Sequence, residues 1–163
     1  MVNKKEKLFL AKFFTSFFIP FFLLELIDTS LLTNAIAGFE NYFLSKLVYT
    51  ELNGSTIFAN NILFQIVTEC SGLVMLLLFA SLIYSTEAKN KLKNFLLLAP
   101  VVFVFNLLRL FVTLLFGVFY GQQAIEVVHV LFWFIDAGVV FLLWMHVVGI
   151  TPNQVFKQVK KSF

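Results

Sequence analysis

Residues 92–119 read LKNFLLLAPVVFVFNLLRLFVTLLFGVF. A run this long and apolar exceeds the roughly 20 residues that a helix needs to cross a bilayer. Three more apolar segments stand beside it, from about Leu8 to Leu32, Glu69 to Ser85 and Val127 to Val148. Composition agrees. Of the 163 residues, 60% are hydrophobic and 13% charged, against about 45–50% and about 25% in a soluble domain. Mean hydropathy is +0.92. An aqueous core cannot hide that much apolar surface. The reading is an all-α integral membrane protein, one domain over residues 1–163 with about four transmembrane helices.

The net charge of +3 is no nucleic-acid signal. All the lysines but Lys46 gather beside the spans: Lys4, Lys5, Lys7 and Lys12; Lys89, Lys91 and Lys93; Lys157, Lys160 and Lys161. Clusters of this kind mark cytoplasmic loops. Placing all three inside gives one path, out, back, out and back, with both termini in the cytoplasm and a basic tail over 149–163. The lysines and apolar run at the N-terminus resemble a signal peptide. The run is too long for one, and no small-residue cleavage pattern follows closely, so it reads as a retained span.

Residues 33–68 are then the only sizeable outer loop. Phe39, Tyr42, Phe43, Leu47 and Val48 recur at helical spacing, with Glu40, Asn41, Ser45 and Lys46 between them. That predicts an amphipathic helix lying in the interface. Asn53-Gly54-Ser55 and Asn60-Asn61 are turn signals around β-prone runs, Thr56 to Phe58 and Ile62 to Val67, which predicts a small hairpin. Asn53-Gly54-Ser55 is also a glycosylation sequon.

Three residue types stand out against this apolar background. Cys70, the only cysteine, sits in Thr68-Glu69-Cys70-Ser71-Gly72 at the outer end of the second span. A lone cysteine is more often a small buried residue than a nucleophile. A helix start, however, offers free N–H groups and a dipole that lower a thiol pKa. The second span is also short, roughly 25 Å against a core near 30 Å. Its outer end would sit in a recess beneath the loop.

Arg109, the only arginine, lies well inside the third span. A mid-membrane arginine costs about 2.5–3.5 kcal/mol on insertion scales, so it must face the bundle interior or a wet cavity. Asn106 is one turn away on the same face. The alternatives are a structural ion pair or a snorkelling side chain. Arginine suits an oxyanion site because its planar fork stays charged.

His129 lies at the outer end of the fourth span, three residues after Glu126, which can orient its ring. A histidine there is as often an interfacial anchor, but beside a cysteine it is the natural acid or base. His146 is too far along the helix to join. Counted from the helix ends, Arg109 lies about 16 Å and Asp136 about 15 Å deep. Asp136 is therefore expected to pair with Arg109 below the site.

A metal site is poorly supported, since one Cys and one outer His need Glu69 and Glu126 to join them. Haem is no better served, since the two histidines lie at opposite ends of one helix, and no Gly-rich phosphate loop is present. No cofactor is expected.

Glu69-Cys70-Ser71-Gly72 on one helix, Asn106-x-x-Arg109 on the next and His129 on the one after resemble the archaeosortase/exosortase family, over roughly residues 53–145. The resemblance implies a membrane cysteine transpeptidase. Such an enzyme cleaves secreted proteins at a C-terminal sorting signal made of a short motif, a transmembrane helix and a basic tail. It implies transfer of the new C-terminus to a membrane lipid, or its hydrolysis. Cys70, Arg109 and His129 would be catalytic, with Asn106, Glu69, Ser71, Gly72, Glu126 and Asp136 in support. The site would face outward from the cell membrane. One archaeal branch has a second arginine where this chain has His129, so the likeness is to a small, histidine-type archaeal member. Many family members carry more helices. This chain resembles a bare catalytic core, which leaves room for an oligomer or accessory subunit in gripping the substrate. Two other readings stand beside it: a non-catalytic membrane assembly subunit, and a small transporter using Arg109 for an anionic substrate.

Overall fold

The computed structural model describes residues 4–150; the basic tail expected over 149–163 lies almost wholly outside them. Among the described residues five α-helices occur in order: α1 Lys4–Leu24, α2 Ser30–Leu44, α3 Leu73–Ser85, α4 Lys91–Tyr120 and α5 Gln122–Val148. Between α2 and α3 lie three strands, β1 Thr50–Asn53, β2 Thr56–Ala59 and β3 Ile62–Gln65, in an antiparallel meander of order β1-β2-β3. The described residues are thus mostly helical with one small sheet. Helices α1, α4 and α5 are each long and apolar enough to cross a membrane. α3 is as apolar but has 13 residues, about 20 Å of helix.

α3 is the hub, packing against α1, α4 and α5. Met75, Phe79 and Ile83 of α3 meet Val102 of α4 and Val140 of α5 in one buried cluster. A second cluster caps the far half of α4. Ile36, Ala37 and Leu44 of α2 and Ile57, Ala59 and Phe64 of the sheet close over Leu110, Leu114 and Val118. The long α4 therefore serves the bundle with one half and the cap with the other. Lys5 and Lys12 of α1, Thr86 and Glu87 of the α3–α4 connection and Val148 of α5 line one cleft. The first lysine cluster, the connection that leads into the second and the end of α5 therefore share one end of the bundle.

Three local expectations are corrected. The apolar segment from Leu8 to Leu32 is not one helix. α1 ends at Leu24, and α2 starts at Ser30, whose N–H donates to Asp28 Oδ1 at 2.8 Å. An aspartate accepting from the backbone two residues on favours a turn over helix continuation.

The helix expected from Phe39 to Val48 instead spans Ser30–Leu44, and its buried face is different. Ile36, Ala37, Glu40 and Leu44 point inward, while Phe39, Tyr42 and Phe43 are exposed. Glu40, expected on the polar side, is 1% exposed. Among the described residues neither of its carboxylate oxygens has a hydrogen-bond partner, and burial pushes its pKa up to about 7.

The predicted hairpin carries one more strand, β1, paired to β2. Its β2–β3 turn is Asn60-Asn61, with φ of 47° and 63°. Both lie in the left-handed region that asparagine tolerates and two-residue hairpins demand.

Candidate active site

Cys70 closes a 3₁₀ turn, Thr68–Cys70, just before α3. The turn is tied from several sides. Cys70 N–H donates to Val67 O at 3.0 Å. Ser71, fully buried, donates from Oγ to Thr68 O at 2.6 Å and accepts from Leu73 N–H at 3.3 Å. The hydroxyls of Thr29 and Thr68 lie 2.6 Å apart, fastening the α1–α2 connection to the same turn. Asn106 of α4, also fully buried, donates from Nδ2 to Cys70 O at 2.9 Å. Gly72 permits that approach. Its φ is +84°, and a Cβ there would meet the Asn106 side chain at 3.0–3.2 Å.

The expected lowering of the thiol pKa by a helix start is not found. Cys70 lies on the turn, outside α3, and Ser71 already occupies the first N–H of that helix. Burial pushes the Cys70 thiol up. A backbone contact with Val67 and the Arg109 guanidinium oppose that rise without overcoming it. A thiol so placed needs a base to become a nucleophile.

Cys70, Arg109, His129 and Asp136 line one cavity of about 300 Å³, with Glu69 on its wall. Phe21 of α1, Val74 and Leu78 of α3 and Trp133 of α5 supply its apolar sides. Helices distant in sequence thus bring all three residues singled out for chemistry to one space. Glu69 also lines a small adjoining cleft with Glu25.

Arg109, 4% exposed, donates from Nη1 to Asp136 Oδ2 at 2.7 Å, the partner expected from helix depth. Its Nη2 lies 3.4 Å from His129 Nδ1 and 3.5 Å from Nε2. The connection that sets this geometry is a single residue, Gly121, between α4 and α5. Arg109 Nε and Asp136 Oδ1, on residues that line the cavity, and Asn106 Oδ1, on a residue that does not, have no partner among the described residues.

His129 sits two turns inside α5, since that helix starts at Gln122. No hydrogen bond joins it to Glu126, which is exposed. Its partner is Trp133, whose Nε1–H donates to Nε2 at 3.1 Å. Trp133 was not among the residues singled out from sequence. Its only signal was the i, i+4 spacing from His129, one helical turn.

A lone thiol, a buried guanidinium and an imidazole thus line one cavity among apolar helices, a set that can supply a nucleophile, a cation and a base. The sequence matches the transmembrane exosortase family (Exosortase_EpsH) over residues 5–148, and the chain belongs to that family. No curated protein and no solved structure matches it.

Proposed function

We propose that this chain is a cysteine transpeptidase that processes the C-terminal sorting signals of secreted proteins, as a small histidine-type, archaeal member of its family. The observation that carries the reading is the convergence of Cys70, Arg109 and His129 on one cavity. In the first step His129 takes the proton of the Cys70 thiol, and the sulfur attacks the scissile carbonyl carbon. Arg109 stabilises the negative charge that develops on the carbonyl oxygen. The C–N bond breaks, His129 returns the proton to the leaving amine, and a thioester remains on Cys70. An amine on a lipid headgroup, or water, then attacks the thioester and releases the thiolate, which recovers a proton. No redox step and no cofactor enters.

Asn106 holds the Cys70 carbonyl, and Asp136 anchors the guanidinium through one nitrogen while Nη2 stays toward His129. Ser71 and Gly72 shape the turn. Glu69 lines the approach.

The orientation proposed is four passes with both termini in the cytoplasm. Support comes from Lys5 and Lys12, which meet the connection leading into the second lysine cluster at the end of the bundle away from the cap. The site then opens toward the outer face of the cell membrane, with the short α3 letting Cys70 sit in a recess under the cap. The partners proposed are secreted proteins ending in a motif, an apolar helix and a basic tail, and a membrane lipid as acceptor.

The test is co-expression with such a secreted protein. Wild type should shorten it. Cys70→Ala should leave it uncut at normal expression, and His129→Ala should slow the cut strongly. Full processing by Cys70→Ala would overturn the assignment.

A further inference from the structure

Trp133 follows His129 by one turn of α5, and their ring centroids are 5.9 Å apart. The indole N–H can only donate. His129 Nε2, 3.1 Å from it, is therefore the acceptor, and in the neutral ring the proton sits on Nδ1. The other polar neighbour does not make this choice. Arg109 Nη2 lies almost equally far from both ring nitrogens, 3.4 and 3.5 Å. An atom so placed lies along neither lone pair, so it sets the guanidinium against the ring without favouring one tautomer.

A neutral imidazole has one in-plane lone pair with which to take a proton. Here that lone pair is on Nε2 and the indole covers it. Trp133 lines the same cavity and is 64% exposed, so it is held by little else. We propose that Trp133 is a positioning residue that latches His129: it fixes the Nδ1–H tautomer and covers Nε2 until an occupant of the cavity displaces the indole. An apolar peptide segment entering between Phe21 and Leu78 competes for the surface that the indole flanks. Once the indole moves, the S–H bond of Cys70 breaks and an N–H bond forms at Nε2, leaving the thiolate beside the substrate. The thiol stays protonated in the empty site, which spares the acyl-transfer nucleophile from stray electrophiles. The consequence for catalysis rests on the transpeptidase reading; the geometry of the latch does not.

The test uses the full chain in lipid nanodiscs with 15N-labelled histidine. His146→Gln, on an exposed residue outside the site, leaves His129 as the only labelled ring. The neutral ring should give the Nδ1–H spectrum. Trp133→Phe, which keeps an aromatic ring but no donor, should lose that preference. It should also raise alkylation of Cys70 by iodoacetamide, without substrate, roughly fivefold, the worth of one neutral hydrogen bond. Loss of bulk alone would raise alkylation by the same factor at high pH, where the thiol ionises without a base; loss of the latch should raise it only near neutral pH. An Nε2–H ring in the wild type, or alkylation no faster in Trp133→Phe, would overturn the latch. Should that variant fail to fold, the wild-type spectrum decides alone. Processing by Cys70→Ala would sink the transpeptidase reading and leave the tautomer untouched.

Discussion

Arg109 Nη1 and Asp136 Oδ2 lie 2.7 Å apart between α4 and α5, and both side chains are more than nine-tenths buried. Each alone would be a costly charge at that depth. Together they hold the guanidinium where Nη2 reaches His129. Asp136→Ala should therefore cost about 3–5 kcal/mol, the penalty of stranding a buried partner. Asp136→Asn keeps an acceptor and should reduce activity less than Arg109→Ala does. Arg109→Lys keeps charge but loses the fork that serves Asp136 and the site at once. It should give a folded, crippled protein, as judged by thermal melting in detergent and by substrate processing.

Gly72 is predicted to be irreplaceable for two separable reasons. Its φ of +84° strains any side chain, and a Cβ would press on Asn106. Gly72→Ala should cost about 2 kcal/mol or more, since the left-handed conformation alone costs about 1–2. Adding Asn106→Ala removes the two nearer contacts, at 3.0 and 3.1 Å, but leaves the Asn106 Cβ at 3.2 Å and the strain, so melting temperature recovers only in part. Activity should not recover, because the Cys70 carbonyl then loses its donor.

Glu40 makes stability depend on pH. Its folded pKa of about 7 lies above the ordinary value of 4.5, so the folded chain binds the proton more tightly than the unfolded one. Its contribution is fully present below about pH 4.5 and is lost as pH rises through about 7. The loss is on the order of 3 kcal/mol. Glu40→Gln mimics the protonated form. It should melt like wild type at pH 4 and higher than wild type at pH 8. Equal melting at pH 8 would mean that the carboxylate is solvated there.

Cys70 should be labelled from outside intact cells by a membrane-impermeant maleimide, slowly, because the thiol is recessed and its pKa is raised by burial. The rate should keep climbing above about pH 8.5, the ordinary thiol value. Labelling only after permeabilisation would reverse the proposed orientation.

Much of the site was legible because charges in an apolar chain need reasons. Arg109 and Asp136 were matched by depth along helices of known rise, and Asn60-Asn61 announced its turn. What stayed hidden has a common cause. In a membrane protein both faces of a helix can be apolar, so spacing alone could not choose between the aromatic face of α2 and the Ile36–Ala37–Glu40–Leu44 face. The break after Leu24 has no Gly or Pro to mark it. Only Asp28-Thr29-Ser30, a run of helix-start residues, pointed to it. β1, Thr-Glu-Leu-Asn, carries too little apolar alternation to read as a strand, and its pairing comes from β2. The thiol expectation failed because burial raises the Cys70 pKa, while Ser71 takes the first N–H of α3 itself.

The central claim is that Cys70 carries the acyl group. The direct measurement is mass spectrometry of the Cys70 peptide from enzyme purified at acid pH out of cells co-expressing a protein with a sorting signal. A hydroxylamine-sensitive adduct should appear on Cys70, with a mass matching the substrate up to its cleavage point, and should be absent from His129→Ala under the same brief exposure. Cleavage of the substrate with Cys70 unmodified, and equally by Cys70→Ala, would contradict the account.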